Sequence, residues 1–159
     1  MANKKIKNAT PLESDGILFK SKQEKKAFDI FKASGLLPEY EKYTFNIFSG
    51  FYPTVECYDL HYDRKLKQRI WGLSKNKIQD ITYTPDFVIM YHDIIFVVEI
   101  KGRENDVFPL KKKMFRKWME EFYNTTGKRM IYFELYNKEQ VYLCVDIIKS
   151  IMQEDDKKP

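Results

Sequence analysis

The sequence predicts a mixed α/β fold, a central β-sheet flanked by helices. Three observations point there. Apolar patterns of helical and strand period follow one another in the order helix, strands, helix, strands. Two pairs of strand-like runs are separated by tight turns, so the sheet is expected to be partly antiparallel. The chain has 159 residues, 43% hydrophobic and 16% aromatic, enough for the core of one domain over residues 1–159.

The elements follow in order. Residues 1–14 are polar and basic and read as a flexible tail, as do residues 154–159, EDDKKP. Residues 21–34 read as a helix ending at Gly35. Ser21 is a good N-cap, and Glu24 stands where a capping box wants its acid. Residues 41–48, rich in Tyr, Thr, Phe and Ile, read as a strand. Residues 49–77 are less regular and read as a divergent basic loop or insertion. They contain DRKLKQRIWGLSKNK, with Arg64, Lys65, Lys67, Arg69, Lys75 and Lys77. Residues 83–102 read as two apolar strands with a turn at His92 and Asp93. A helix over about residues 108–123 follows, then a strand over 130–136. An Asn-Lys turn leads to a second strand around 141–145, and a short helix, IIKSIM, closes the chain.

Composition narrows the function classes. The 28 basic and 23 acidic residues give a formal net charge of +5. That suits a nucleic-acid or other polyanionic partner, and equally a slightly basic surface. The two cysteines, Cys57 and Cys144, form no CxxC pair and give a zinc ribbon no support. Cys144, in the apolar run YLCV, reads as a small core residue. The opening MANKKIKNATPLESDG has no apolar segment of signal-peptide type, and no run approaches the ~20 apolar residues of a membrane span. A cytoplasmic location is therefore expected. His61 and His92 are the only histidines and form no HExxH. A Walker loop, a GxGxxG and a serine-nucleophile elbow are absent.

The informative stretch is YTPDFVIMYHDIIFVVEIKG, residues 83–102. Its apolar strands are interrupted by Asp86, Glu99 and Lys101. A two-residue loop at His92-Asp93 sets Tyr91 against Ile94, Ile89 against Phe96, and Asp86 against Glu99. Opposed residues share a face of the sheet, and Lys101, two beyond Glu99, shares it too. Directly opposed carboxylates cost ~0.2–1 kcal/mol even in water. In a half-buried cleft the cost is larger, or one acid takes up a proton. A divalent cation reverses that sign: magnesium takes oxygen ligands, often one or two carboxylates plus water and substrate phosphate. Lys101 beside them could orient or deprotonate a water, or neutralise charge on a reacting phosphate. Each charge alone is explained by an ordinary salt bridge. All three on one face of an apolar hairpin make physical sense as a phosphodiester hydrolysis site.

Two further residues keep two readings each. Glu24 lies within the apolar stripe of its helix, with Phe28 and Phe31 inside about 40° of it. The capping box accounts for it, and so does a metal site reached directly or through water. In the second helix, Leu110, Met114, Phe115, Trp118 and Phe122 form the apolar stripe, with Trp118 taken as core. Lys111 falls inside that stripe, where it either snorkels outward or points at the carboxylates or a DNA phosphate.

These pieces resemble the PD-(D/E)XK nuclease superfamily. Pro85-Asp86 resembles its PD element and Glu99-Ile100-Lys101 its (D/E)XK element, while Glu24 is similar to the acid that many members carry on the first helix. More narrowly, the chain resembles a phage and prophage family described as Holliday-junction-resolvase-like. The blocks carrying the match are DGILFKSKQEKKAFDIF, YTPDFVI with FVVEIKG, and LKKKMF. Residues 49–77 do not align, and RENDVF after Gly102 lacks the threonine expected there.

The resemblance implies a restriction-endonuclease-like core and metal-dependent hydrolysis of DNA phosphodiesters. It makes Asp86, Glu99 and the Ile100 carbonyl the magnesium or manganese ligands. Lys101 would position the attacking water, Glu24 would complete the metal environment, and Lys111 would serve as an auxiliary basic group. The expected substrate is Holliday-junction or other branched DNA in phage recombination or replication. Arg64, Lys65, Lys67, Arg69, Lys75 and Lys77 are expected to track its backbone. Resolution takes two cuts in opposite strands, so a homodimer is expected. The alternatives are a sequence-specific or transposase-like endonuclease, and a DNA-binding protein without cleavage activity.

Overall fold

The structure, a computed structural model, describes residues 11–102 and 107–157. Most of RENDVF, at residues 103–106, lies outside them, as do residues 1–10 and 158–159 of the two expected tails. The elements are β1 (Leu12–Ser14), β2 (Ile17–Phe19), α1 (Lys22–Ala33), β3 (Glu39–Tyr40), β4 (Phe45–Phe48), β5 (Tyr58–Asp63), β6 (Gln68–Leu73), β7 (Ile81–Tyr83), β8 (Phe87–Tyr91), β9 (Ile94–Ile100), α2 (Phe108–Thr126), β10 (Arg129–Leu135) and α3 (Lys138–Asp156). Two compact units emerge. One is Phe45–Tyr83; the other comprises the chain before and after it.

The larger unit is built on a mixed sheet in the order β10-β9-β8-β3. The central pair is the expected hairpin, with Tyr91 against Ile94, Ile89 against Phe96 and Phe87 against Val98. His92 takes a positive φ of 48° at the first position of the two-residue turn, the backbone that a tight hairpin needs there. β9 and β10 run parallel, as expected when α2 crosses between them. On one face, Phe87, Ile89, Phe96 and Val98 pack with Phe28 and Phe31 of α1 and with Val141, Cys144, Val145 and Ile148 of α3. On the other, Phe115 of α2 meets Tyr132 of β10 edge-on, ring centroids 5.9 Å apart.

α1 forms as its sequence requires. The Ser21 hydroxyl accepts from the Glu24 amide at 3.2 Å, and Gly35 beyond the helix takes φ 81°. Residues 141–145 are a correction: they are helical, not a strand. Asn137 caps α3 by accepting from the Gln140 amide at 2.9 Å, and the Gln140 side chain accepts from the Tyr136 amide at 2.6 Å. The run VYLCV then divides at helical spacing, burying Val141, Cys144 and Val145 and leaving Tyr142 and Leu143 exposed. Burial pushes the Cys144 thiol up to about 12, the behaviour of an inert core thiol. α3 runs on through Asp156, into the expected tail. The strand expected at 41–48 is shortened to β4 at Phe45–Phe48, because Glu41 adopts φ 43° and breaks the extended chain after β3.

The Phe45–Tyr83 unit replaces the expected irregular loop with ordered structure. β4 pairs with β7, and β5 with β6 in a hairpin. The alternation Tyr58, Leu60, Tyr62 against Asp59, His61, Asp63 is the period-two pattern of a strand. Phe51 and Ile78 exchange backbone bonds of 3.0 and 2.9 Å, and a side chain at Gly50 would stand 2.4 Å from the Ile78 carbonyl oxygen, so only glycine fits.

In the larger unit, Phe87 is fully buried against the rings of Phe28, Phe31 and Tyr40. Phe87→Ala is expected to lower unfolding free energy by about 3–5 kcal/mol in urea titrations. Leu110, expected in the α2 stripe, is instead 60% exposed, so Leu110→Ala should change it by less than about 0.5 kcal/mol. Equal losses in the two variants would contradict this packing.

Candidate active site

The β8–β9 hairpin delivers Asp86, Glu99 and Lys101 to one end of the sheet. Pro85 is fully buried just before β8, and the ladder closes at Phe87 and Val98. Asp86 lies one residue beyond that last pair. Its carbonyl accepts from the Glu41 amide at 2.9 Å, and its Oδ2 accepts from the Ile100 amide at 2.6 Å. Asp86 therefore leaves the ladder and lends its carboxylate to the neighbouring strand. Glu99 is 6% exposed. Lys101 Nζ lies 2.5 Å from Glu99 Oε1 and 3.5 Å from the centroid of the Phe108 ring, held by charge on one side and a π-face on the other. The Lys101 amide donates to the Leu135 carbonyl at 2.7 Å, fixing the backbone beneath it.

Burial holds the Asp86 carboxyl well above the usual carboxylate range, reinforced by the Glu99 charge and, further down, by Glu24; the Ile100 amide and Lys101 oppose this. Glu24 is itself buried. Its carboxylate accepts from the Lys20 amide at 3.0 Å, the Ser21 hydroxyl at 2.8 Å and the Tyr40 hydroxyl at 2.6 Å. The Ser21 hydroxyl caps the helix by accepting from the Glu24 amide, while the Glu24 carboxylate takes the amide one residue before the cap and two hydroxyls, and its charge remains close enough to act on Asp86. Burial, and then the bond to Glu24, raise the Tyr40 phenol far above its ordinary value, so Tyr40 stays a donor.

Three contributors were missed in the sequence. Glu134 of β10 is the direct neighbour of Glu99 across the parallel pair, so both acids share a sheet face. Lys112 Nζ reaches both Glu134 oxygens at 2.8 and 3.1 Å, and lies 5.5 Å from the Phe108 centroid. Two lysines thus lie near the Phe108 ring. A charge interrupting the apolar run MIYFELY was the available signal for Glu134. Lys111, expected to be an auxiliary basic group, is half-buried in the first turn of α2 beside Lys112.

Asp86, Glu99, Lys101 and Glu24 are brought together in the larger unit. Arg64, Lys65, Lys67, Arg69, Lys75 and Lys77 lie in the Phe45–Tyr83 unit, and all six are exposed. Among the described residues no three His, Cys, Asp or Glu side chains converge as a ready-made metal cage. The donor chemistry nevertheless fits a hard divalent ion. Asp86 and Glu99 offer carboxylate oxygens at one sheet end, beside the Ile100 carbonyl, and magnesium commonly takes one or two carboxylates with water and phosphate completing its shell.

A raised carboxyl makes a signed prediction. Folded Asp86 holds its proton more tightly than unfolded Asp86, so its cost is absent below the unfolded pKa of about 3.9 and grows as pH rises through the folded value. In EDTA at neutral pH, Asp86→Asn should therefore melt above the parent, by about 2–4 °C per kcal/mol relieved. The gain should shrink towards pH 4. An asparagine variant less stable than the parent at pH 7 would contradict the reading.

No curated protein and no solved structure matches the chain. A family model described as "Protein of unknown function (DUF1064)" matches residues 4–137, a span that includes Glu24, Asp86, Glu99, Lys101, Lys112 and Glu134. The chain belongs to the DUF1064 family.

Proposed function

We propose that this protein is a metal-dependent endodeoxyribonuclease of the PD-(D/E)XK type, acting on Holliday-junction or other branched DNA in phage recombination or replication. The observation that carries this reading is the end of the β8–β9 hairpin. There the Asp86 carboxyl is driven upward by burial and by Glu99, with Lys101 seated alongside. A protein gains nothing in stability from that arrangement, and sites that shift pKa through burial plus a like charge are functional candidates.

Asp86, Glu99 and the Ile100 carbonyl would hold magnesium or manganese. When bound, the ion supplies a Lewis acid for water activation and for charge developing on the phosphate. Lys101, restrained by Glu99 and Phe108, would orient the attacking water at its Nζ. Glu24 and Tyr40 would keep negative charge and a fixed donor beside Asp86. Lys112, fixed by Glu134, keeps a second cation near the Phe108 ring. Arg64, Lys65, Lys67, Arg69, Lys75 and Lys77 would engage phosphates in a salt-dependent way.

A second reading, a DNA-binding protein without cleavage activity, is favoured by one feature. Lys101 already neutralises Glu99, while hydrogen bonds from the Lys20 amide, Ser21 and Tyr40 engage Glu24.

Labelled junction, flap and blunt duplex DNA, incubated with magnesium or manganese, separate the two. Cleavage of branched substrates is expected, with EDTA abolishing it. Lys101→Ala should reduce the rate by about 10²–10³-fold or more while retaining the parent circular dichroism spectrum. Intact DNA in all lanes with both metals sinks the nuclease reading. Full activity in the folded Lys101→Ala variant removes Lys101 from the reaction.

A further inference from the structure

The β5–β6 hairpin carries a feature that the carboxylate site does not use. Pairing Tyr58 with Leu73, Leu60 with Trp71 and Tyr62 with Arg69 gathers these six side chains on one face. That face is open: Trp71 is 72% exposed, Leu60 59%, Tyr58 56% and Tyr62 53%. The Tyr58 and Trp71 rings lie 5.8 Å apart with their planes tilted by 30°. Contiguous exposed aromatic surface on a soluble unit marks a binding face.

The charges say what it binds. Arg69 lies on the aromatic face itself, and Arg64, Lys65 and Lys67 crowd the turn next to it, all exposed. The hairpin's acids are disposed elsewhere. Asp59 lies on the opposite face and meets His61 at 3.0 Å. Asp63 accepts from the Lys65 and Leu66 amides at 2.7 and 2.8 Å, and these bonds lower its carboxyl. Flat rings beside exposed cations suit a polyanion with exposed π-faces. An unpaired nucleic-acid strand has them, whereas a duplex hides its base faces in the stack. We propose that the Tyr58–Leu73 hairpin is a stacking platform for single-stranded DNA, with Trp71, Tyr58 and Tyr62 taking bases and Arg69 with the turn cations taking phosphates. The choice of DNA rests on the proposed nuclease reading and narrows the substrate to DNA with an unpaired segment.

The test is binding of the full chain in EDTA, followed by fluorescence anisotropy of labelled oligo(dT), oligo(U) and a blunt duplex of equal length. Oligo(dT) should bind tightest, with affinity falling as salt rises. Trp71→Ala should weaken oligo(dT) binding by about tenfold or more, whereas Trp71→Phe, which keeps a stacking plane, should recover most of it. In a Trp118→Phe background, which leaves Trp71 as the sole indole, oligo(dT) should quench tryptophan emission.

Equal or tighter binding to the duplex overturns the proposal, as does a folded Trp71→Ala variant that binds like the parent. Oligo(U) bound tighter than oligo(dT) overturns the assignment to DNA. Self-association that Trp71→Ala abolishes without changing DNA affinity would make the face a contact between copies and overturns it too. Metal-dependent cleavage without oligo(dT) preference sinks the platform and leaves the nuclease. Oligo(dT) preference in a protein that cleaves nothing supports the platform and sinks the nuclease.

Discussion

The antiparallel pairing of β8 with β9 is the constraint on which the larger unit depends. Phe87, Ile89, Phe96 and Val98 face α1 and α3 because of its register, and that same register sends Glu99 and Lys101 to the opposite face. A slip by one residue would bury the charges in the aromatic core and expose the phenylalanines. The two-residue turn at His92-Asp93 and the fully buried Phe87 and Phe96 hold it in place. The site exists where this ladder stops: with no further strand bond to make, the Ile100 amide is open to the Asp86 side chain.

Around that point the molecule accumulates charge in a place that disfavours it. Glu24 and Glu99 are buried, Asp86 is partly buried, and each is compensated differently. Glu24 takes three donors, Glu99 takes the Lys101 ammonium, and Asp86 takes the Ile100 amide. One amide offsets burial only in part, which is why the carboxyl is pushed upward. Glu24 ties the start of α1 to Tyr40 of β3, whereas a neutral side chain at Asp86 would relieve the cost of burying its charge beside Glu99. Phe108 contributes on the same principle, since its ring gives both Lys101 and Lys112 an attractive surface without neutralising them.

Much of this was legible in the chain. Alternation and a two-residue turn were enough to pair Tyr91 with Ile94 and Ile89 with Phe96, and Ser21, Glu24 and Gly35 bounded α1. The misread parts have physical causes. VYLCV is uniformly apolar, so its period is ambiguous, and Asn137 with Gln140 was the capping signal that decides for helix. The β5–β6 alternation was hidden by its charges and by aromatic residues that face solvent. The rotation of α2 about its axis is set by Phe115 meeting Tyr132, which is why Leu110 faces out and Lys112 reaches Glu134. Tyr40 meets Glu24 only through the fold, and no local pattern announces it.

The proposed function requires Asp86 and Glu99 to bind a divalent cation. The most direct measurement is calorimetric titration of the metal-free protein with manganese, in buffers of differing ionisation heat. The proposed site predicts one saturable binding event with proton release that grows as pH is lowered, because the Asp86 carboxyl, held above the usual range, must give up any proton it carries to coordinate. It also predicts that Asp86→Asn and Glu99→Gln each abolish the event. Absence of saturable binding, or binding unchanged in both variants, would rule out a metal site at Asp86 and Glu99.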